Sequence, residues 1–270
     1  MSVGKILSLA ILAGIAVLTF FPFVFMFITS FKTLPQFYHE FWLPMFPLTW
    51  SNYTIAWEVV SVYLINSTWY STVSIAGIAL FASLAAFAFA RYRFPGDHFL
   101  FLATISLLMI PSVLLIVPLF MEVRQFGLIN TPWALILPWI AVSQPFSILV
   151  FRTFFANLPE EIFESAYMDG ANKFHCYWLI GLPLSVPVVI TILIVHLLAT
   201  WNDFIWPLVA VSNDELRPVA VGLRFFQGTY ITQYGPMMAG FVIATLPLVV
   251  VFGIALRQFV SGLTAGALKG

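Results

Sequence analysis

Two groups of polar residues stand out in this apolar chain as candidates for chemistry, and the first is an acidic stretch that begins at Pro159. Pro159 suits the first position of a helix, because its missing N–H would be unpaired there anyway. Glu160 and Glu161 then lie in the first turn, where carboxylates meet the positive end of the helix dipole. Gly170 suits the end, because glycine adopts the left-handed conformation that terminates many helices. The stretch predicts a short acidic helix over residues 159–169, with its carboxylates available for polar contacts.

The second group is His196, Asn202 and Asp203, which lie inside a long apolar run. Polar groups are costly inside a membrane and mark candidate functional sites there. His196 and Asp203 are two helical turns apart, which places them on one face about 10 Å apart, too far for a direct ion pair. They either line a polar path or pair with backbone groups freed where Pro207 interrupts the helix. One His and one Asp do not predict a metal site.

The composition is that of a membrane protein. Of 270 residues, 61% are hydrophobic and 8% are charged, and the mean hydropathy is +1.01. Soluble domains carry about 25% charged residues. The net charge of zero gives no reason to expect nucleic acid as a partner. The single Cys176 excludes an internal disulfide and a thiolate metal cluster.

No motif for catalysis accompanies these residues. A phosphate-binding P-loop needs Gly-x-x-x-x-Gly-Lys-Ser/Thr, because backbone N–H groups must surround the phosphates. Only Lys32 and Thr33 supply the final pair, and no glycine precedes them nearby. His-Glu-x-x-His, Cys-x-x-Cys and Gly-x-Ser-x-Gly are also missing from the sequence. We therefore predict that the chain is not an enzyme, and that any ATP driving it binds to a separate polypeptide.

The acidic stretch is the first half of a longer pattern. A helix over 159–169 is about 16 Å long, too short to cross a hydrocarbon core of about 30 Å, so we expect it on the membrane surface. The positions that complete the pattern are Glu164, Ser165, Ala166, Gly170, Ile180, Leu182 and Pro183. This spacing resembles the coupling loop of ABC-importer permeases, which usually have alanine where Ser165 stands. The resemblance covers most of the chain and is closest to the MalG-like permeases of carbohydrate importers.

The resemblance implies an all-α membrane protein of six transmembrane helices with a cytoplasmic coupling helix, which is the fold of type I ABC-importer permeases. In that family the loop docks into a cleft on a cytoplasmic ATPase. The implied ATPase-coupling residues are Glu160, Glu161, Glu164, Ser165, Ala166, Asp169, Gly170, Ile180, Leu182 and Pro183. The implied partners are a second homologous permease, two cytoplasmic ABC ATPases that bind ATP and Mg, and an extracytoplasmic solute-binding protein. No cofactor is implied on this chain, and an ordinary amphipathic surface helix is the alternative.

Six apolar runs predict six spans, at about residues 6–31, 67–90, 99–121, 132–151, 184–211 and 236–256. A loop rich in proline and aromatic residues separates the first two, and part of it can form a short helix along the outer surface. Its tryptophans suit a membrane interface. Pro111 and Pro118 predict kinks in the third span. The coupling loop covers 155–181 and a C-terminal tail covers 257–270, all within one membrane domain over 1–270.

The basic residues favour one orientation across the membrane. Six spans place both termini on one side, and more Lys and Arg residues then lie on the side of the termini than on the other. The inner set is Lys5, Arg91, Arg93, Arg152, Lys173, Arg257 and Lys269, and the outer set is Lys32, Arg124, Arg217 and Arg224. The positive-inside rule therefore predicts cytoplasmic N- and C-termini in a bacterial inner membrane, with lipid around the spans. The same orientation places Cys176 in a cytoplasmic loop.

Two further segments take an interpretation from the resemblance. Residues 212–235 connect the last two spans and are polar and aromatic. In the family, the corresponding loop reaches toward the solute-binding protein, which implies Gln227, Tyr230 and Tyr234 as contact candidates; a solvated connector is the alternative. Residues 201–208 resemble a recurring stretch of sugar permeases, which favours His196, Asn202 and Asp203 as translocation-path candidates.

Together these observations predict the permease subunit of an ATP-driven, binding-protein-dependent importer of an oligosaccharide or a related polyol or glycerol derivative. The rival is an ion-coupled secondary transporter or channel that uses Asp203 and His196. Such folds usually show paired broken helices in two related halves. The sequence offers one candidate break, in the fifth span, and the rival leaves the stretch from Glu164 to Pro183 unexplained.

Overall fold

The structure is a computed structural model that describes residues 3–226 and 233–267, with side chains described for 4–224 and 233–255. The described residues form helices and connecting loops, without strands. The helices are α1 Val3–Thr29, α2 Leu34–His39, α3 Ser51–Arg91, α4 Asp97–Met109, α5 Ser112–Gln125, α6 Trp133–Ala156, α7 Glu160–Met168, α8 Lys173–Leu184, α9 Val186–Trp201, α10 Ile205–Ala210, α11 Val219–Gly222 and α12 Tyr234–Ala267. Short 3₁₀ turns close α4 and open α5, and α8 contains a π-helical segment.

Four helices of the described chain are long and apolar enough to cross a membrane, namely α1, α3, α6 and the part of α12 up to Ala255. Two bent pairs meet the same test together: α4 with α5, at 98°, and α8 with α9, at 69°. Counting each pair as one crossing gives up to six spans by length and composition. The six predicted spans correspond to these four helices and two pairs.

The second predicted span begins too late. The structure has α3 starting at Ser51, so that 51–66, predicted as part of a loop, is helical. Pro35, Pro44 and Pro47 do prevent one long helix before this point, where the short α2 forms, but no proline lies between Ser51 and Arg91. At about 1.5 Å per residue, the 41 residues of α3 are ~60 Å long, about twice the hydrocarbon thickness.

The third and fifth predicted spans are broken rather than continuous. The α4–α5 bend lies at Ile110 and Pro111, as the predicted kink at Pro111 requires. Pro118 instead lies in the first α-helical turn of α5, where its missing N–H costs little. In the fifth, a bend at Ser185 separates α8 from α9, and a second break at 202–204 separates α9 from α10.

The C-terminal boundaries also differ from the prediction. Helix α12 runs to Ala267, so residues 257–267, predicted as a tail beyond the span, continue the helix. The last residues of that tail, 268–270, lie outside the described residues.

The chain divides into two compact units. The first consists of Met1–Leu64 with Gly222–Leu248, and the second of Ile65–Val221 with Val249–Gly270. In the second unit, one apolar cluster surrounds Phe87 and another surrounds Tyr70. In the first unit, Asn52 Nδ2 donates to the backbone carbonyls of Ser30 and Lys32, at 2.9 Å each. Gly235 lies so close to this pair that a Cβ there would come within 2.2 Å of the Lys32 carbonyl oxygen.

Candidate functional site

The acidic helix forms as α7, Glu160–Met168, with Pro159 at its N-cap rather than at its first helical position. Its glutamates and Ser165 are exposed, Ala166 is half-buried, and Phe163 is buried on the opposite face. Helix α7 therefore presents a carboxylate-rich face outward and anchors itself through one aromatic side chain. The residues of this outward face are Glu160, Glu161, Glu164, Ser165 and Asp169.

Gly170 ends α7 in the left-handed conformation, with φ of +85°. Its N–H donates to the Tyr167 carbonyl at 3.0 Å, and the next N–H, of Ala171, donates to the Ala166 carbonyl at 2.9 Å. These bonds satisfy carbonyls at the helix end, as glycine-terminated helices do. A Cβ on Gly170 would meet no atom of this chain within 4 Å, so the open space beside it is available to another molecule.

Arg91, the last residue of α3, holds α7 from the side of the membrane helices. Its Nη2 donates to the Leu158 carbonyl at 2.7 Å, and its guanidinium lies 4.2 Å from the centre of the Phe163 ring. Phe163 also contacts Phe87, which lies one helical turn before Arg91. A hydrogen bond to a charged donor and a buried cation–π contact each stabilise by about 1–2 kcal/mol. Sequence reasoning used Arg91 only as a positive charge, so this attachment was not predicted.

Tyr92, the next residue along the chain, joins the region after α7 to the same helix end. Its hydroxyl donates to the Lys173 carbonyl at 3.4 Å, and Lys173 Nζ lies 4.5 Å from the centre of its ring. Burial, followed by a hydrogen bond with Tyr167, raises the pKa of Tyr92, so the phenol stays protonated at neutral pH. The residues on both sides of α7 are thus fixed to the end of α3.

The second part of the predicted coupling loop, Ile180 to Pro183, follows in α8 and packs on the apolar cluster around Phe87. Ile180 and Leu182 lie against it, and a Cβ on Gly181 would come within 2.8 Å of the Phe87 ring. One turn earlier, the Tyr177 hydroxyl and Ser83 Oγ form a buried hydrogen bond of 2.7 Å. The glycine therefore permits a close approach between α8 and α3. Pro183 is exposed and lies two residues before the bend at Ser185.

Cys176 is fully buried in α8, within the cluster around Phe87. It was predicted to lie in a loop, but α8 begins at Lys173 and includes it. Because no solvent reaches the thiol, its failure to react with a reagent would say nothing about the side of the membrane on which it lies.

Asp203 lies in the break between α9 and α10, beside a cavity of about 540 Å³. Its Oδ2 accepts a 2.8 Å hydrogen bond from Trp139 Nε1 on α6, and its Oδ1 accepts a longer bond, 3.4 Å, from the Trp206 N–H. Asn202 and Ser112 also line the cavity, which lies between this break and the start of α5. Both open interpretations of Asp203 therefore fit the same geometry: it satisfies a freed backbone N–H, and it faces a cavity.

His196 does not join Asp203. It is 5% exposed, its Nε2 lies 2.8 Å from Ser147 Oγ on α6, and it is not among the residues that line the cavity. One turn later on α9, Thr200 Oγ1 donates to Ser71 Oγ on α3 at 2.9 Å. His196 therefore ties α9 to α6 inside the protein, as polar side chains commonly do between membrane helices. The helical spacing alone could not show this, because it does not include the neighbouring helix.

Only one of the three predicted binding-protein contacts can be placed. Gln227 and Tyr230 lie outside the described residues. Tyr234, at the start of α12, stacks on the ring of Phe37 with centroids 4.4 Å apart, and it is half-buried. Its ring is therefore engaged within the first unit. Across the described residues, no group of three or more His, Cys, Asp or Glu side chains is arranged to hold a metal ion.

Three comparisons place these features among known proteins. The chain is 33% identical to the trehalose/maltose transport system permease protein MalG of Thermococcus litoralis, over 94% of this chain and 93% of that protein. It is 32% identical to the arabinooligosaccharides transport system permease protein AraQ of Halalkalibacterium halodurans, over 99% and 98%. Its fold matches a chain in the crystal structure of a bacterial ABC transporter involved in the import of the acidic polysaccharide alginate, with a TM-score of 0.84, 19% identity, and coverage of 95% and 96%.

The family model of binding-protein-dependent transport system inner membrane components matches residues 78–264. That range begins within α3 and includes α7, the break at Asp203 and most of α12. It therefore contains α7 with its attachment to Arg91 and Asp203 with its hydrogen-bond partners, and it covers more than half of the chain. The chain belongs to the family of binding-protein-dependent transport system inner membrane components.

Proposed function

We propose that this chain is one of two permease subunits of an ATP-driven importer for a carbohydrate, in a bacterial inner membrane. Full-length similarity to permeases named for trehalose/maltose and arabinooligosaccharides supports the substrate class. The proposed partners are a second homologous permease, two cytoplasmic ATPases that bind ATP and Mg, and an extracytoplasmic solute-binding protein. Both termini are cytoplasmic in this proposal.

The observation that carries the proposal is the outward face of α7. Its carboxylates and Ser165 are exposed, a Cβ on Gly170 would meet open space, and Phe163 and Arg91 fix the helix to α3. A surface that binds an ATPase and transmits movement needs both properties, an accessible face and a stiff attachment. In the proposed cycle, closure of the ATPases on ATP displaces α7, and the contact with Arg91 and Phe87 passes the displacement to α3.

Asp203 and Asn202 are the proposed polar groups of the translocation path in this chain. They lie at an interrupted helix beside a cavity, where non-helical backbone is tolerated in membrane proteins. His196 is proposed to hold α9 in place rather than to meet the substrate, because it is buried against Ser147.

The test is charge reversal of Glu164, an exposed residue of α7. Glu164→Lys is expected to leave the permease pair assembled, and to lose either the ATPase on purification or the stimulation of its hydrolysis by loaded binding protein. Glu122→Lys, at an exposed glutamate near the end of α5, is the matched control and should retain both. Wild-type stimulation and uptake in Glu164→Lys would exclude α7 as the coupling element.

The carbohydrate itself is best identified through the solute-binding protein. We expect that protein to bind an oligosaccharide or a polyol derivative when screened against a panel of sugars, amino acids and ions by thermal shift. Selective stabilisation by an amino acid or an ion, with none by a carbohydrate, would contradict the proposed substrate class.

A further inference from the structure

The turn between α2 and α3 exposes an unusual amount of apolar surface. Residues 41–47 read Phe-Trp-Leu-Pro-Met-Phe-Pro, and the exposed fractions are 58% for Trp42, 62% for Leu43 and 77% for Phe46. Loops on the surface of soluble proteins rarely concentrate large apolar side chains in this way. The turn, defined here as the 41–47 turn, therefore faces something other than bulk water.

The 41–47 turn folds back along the side of α1. The Phe41 ring lies 5.0 Å from that of Phe25, and the Trp42 ring lies 5.6 Å from those of Phe25 and Phe21. These two residues of α1 precede its end at Thr29 by four and eight positions, which is about 6 and 12 Å along the axis. They belong to a charge-free run, and the spanning window of α1 is not buried by the rest of the chain. The turn therefore lies level with the part of α1 that is suited to lipid.

Part of the backbone of the 41–47 turn has hydrogen-bond partners within the chain, so these groups do not depend on water. Lys32, which is 1% exposed, donates from Nζ to the carbonyls of Glu40 at 2.6 Å and Phe41 at 3.1 Å. Glu40 Oε1 accepts from the N–H groups of Trp42 and Leu43, at 3.3 Å each.

The two prolines of the turn further reduce the number of backbone groups that need a partner. Pro44 and Pro47 carry no N–H, and the Pro47 carbonyl accepts from Gln36 Nε2 at 3.0 Å. In water, solvent would satisfy such groups at little cost, and a buried lysine would not be needed for the purpose. In hydrocarbon each unpaired group costs several kcal/mol, so non-helical backbone persists there only with internal partners.

We propose that the 41–47 turn is a membrane anchor that inserts into the lipid leaflet at the C-terminal end of α1. The occupant of its apolar surface is the boundary between lipid headgroups and acyl chains, where tryptophan is favoured and where interfacial elements insert by about 5–10 Å. In the orientation proposed above, this is the outer leaflet. The anchor itself does not depend on that orientation or on the transported substrate, because it rests on contacts within the first unit.

The test is a depth measurement on the assembled transporter in lipid nanodiscs. A nitroxide label is placed at Phe46→Cys, at Leu18→Cys on α1 as a lipid reference, and at Glu58→Cys on α3 as a water reference, all in a Cys176→Ala background. Leu18 is 76% exposed and Glu58 is an exposed charged residue. We expect the label at position 46 to collide with oxygen more often than with an aqueous nickel complex, as at position 18 and opposite to position 58.

Two results at position 46 would overturn the proposal. Preferential collision with the nickel complex would show that the turn lies in water. Low accessibility to both reagents would show that a protein surface, from the second permease or the solute-binding protein, covers it. Adding the solute-binding protein should leave the oxygen accessibility unchanged.

Lys32→Met tests the proposal independently, because it removes the ammonium group that donates to the Glu40 and Phe41 carbonyls and keeps a side chain of similar length. If the turn is in lipid, the carbonyls of Glu40 and Phe41 lose their partner, and the label at position 46 should shift toward the accessibility of position 58. An unchanged accessibility at position 46 in a correctly assembled Lys32→Met transporter would contradict the role given to Lys32.

Discussion

At the scale of single residues, Gly170 combines a backbone requirement with an open space, and substitutions can separate the two. Its φ of +85° favours glycine, and asparagine adopts this conformation more readily than alanine or aspartate. Gly170→Asn should therefore fold to within about 1 kcal/mol of the wild type, whereas Gly170→Ala should cost about 1–2 kcal/mol. Because a Cβ added at this position would meet open space, we expect Gly170→Asn, like Gly170→Asp, to lose ATPase stimulation by obstructing the partner. Thermal unfolding measures the loss of stability, and hydrolysis assays measure the loss of ATPase stimulation. Full stimulation in Gly170→Asn would show that the only role of the glycine is to end the helix.

Asp203 offers a second prediction at this scale. Asp203→Asn keeps one acceptor oxygen but must present its NH2 group to either the Trp139 or the Trp206 N–H, both of which now donate to the carboxylate. A lost hydrogen bond with a buried donor left unpaired costs about 1–3 kcal/mol. We expect the variant to assemble and to transport several-fold more slowly at every pH. Glu122→Gln, at an exposed carboxylate near the end of α5 that is outside the proposed path, is the control and should transport normally. Normal uptake in Asp203→Asn would remove Asp203 from the proposed path.

Sequence reasoning at this scale succeeded where one residue decides the local backbone. Glycine at a helix end predicts a positive φ, and Gly170 has one. It failed where the partner lies on another element. The bond between His196 and Ser147 joins positions 49 residues apart, and that between Trp139 and Asp203 joins positions 64 apart, so no helical periodicity includes either. A buried Trp N–H needs an acceptor, which is the one signal that would have directed attention to Trp139.

At the scale of elements, the attachment of α7 to α3 predicts that Arg91 controls the efficiency of coupling. Arg91→Lys keeps the charge but loses the planar group that stacks on Phe163 and reaches the Leu158 carbonyl. We expect the ATPase to remain bound while the substrate transported per ATP falls several-fold, because α7 moves without carrying α3.

Arg93 provides the matched control for that prediction. Its side chain is 96% exposed and forms a long surface ion pair, 3.6 Å, with Asp97, which contributes at most about 1 kcal/mol. Arg93→Lys should leave uptake and hydrolysis at wild-type values. If the substrate transported per ATP falls equally in both variants, or does not change in Arg91→Lys, the Arg91 contact does not transmit movement from α7 to α3.

The boundaries of the elements were predictable only where a proline or glycine marks them. The α4–α5 break lies at Pro111 and the end of α7 lies at Gly170, and both were predicted. The start of α3 at Ser51 was missed because the residues from Ser51 to Asn66 are neither apolar throughout nor interrupted by proline. The bend at Ser185 was missed because two short prolyl segments, Leu182-Pro183 and Val186-Pro187, resemble an ordinary apolar helix in composition.

At the scale of the whole molecule, the importer proposal requires that the connection between α3 and α4 and the connection between α10 and α11 lie on opposite sides of the membrane. The bent pair α4–α5, helix α6 and the bent pair α8–α9 lie between these connections in the chain. If each bent pair crosses the membrane once, three crossings separate the two connections, and the proposal expects them on opposite sides. The side on which each of these two connections lies is therefore the test of the proposed topology.

Orientation can be measured with two introduced cysteines in a Cys176→Ala background, since the native thiol is buried and reports nothing. Arg93 lies in the exposed connection between α3 and α4, and Glu215 lies in the exposed connection between α10 and α11. With cytoplasmic termini, one crossing by α1 and a second by α3 place Arg93 inside, while the bent pairs and α6 bring the chain out again by Glu215. We expect a membrane-impermeant maleimide to label Glu215→Cys in intact cells or spheroplasts. Arg93→Cys should be labelled only after permeabilisation, which also serves to show that both thiols react.

The reverse pattern would place α7 outside the cell, where no ATP-driven partner could reach it. Labelling of both thiols before permeabilisation would mean that one bent pair enters and leaves the membrane on the same side, which would change the number of crossings.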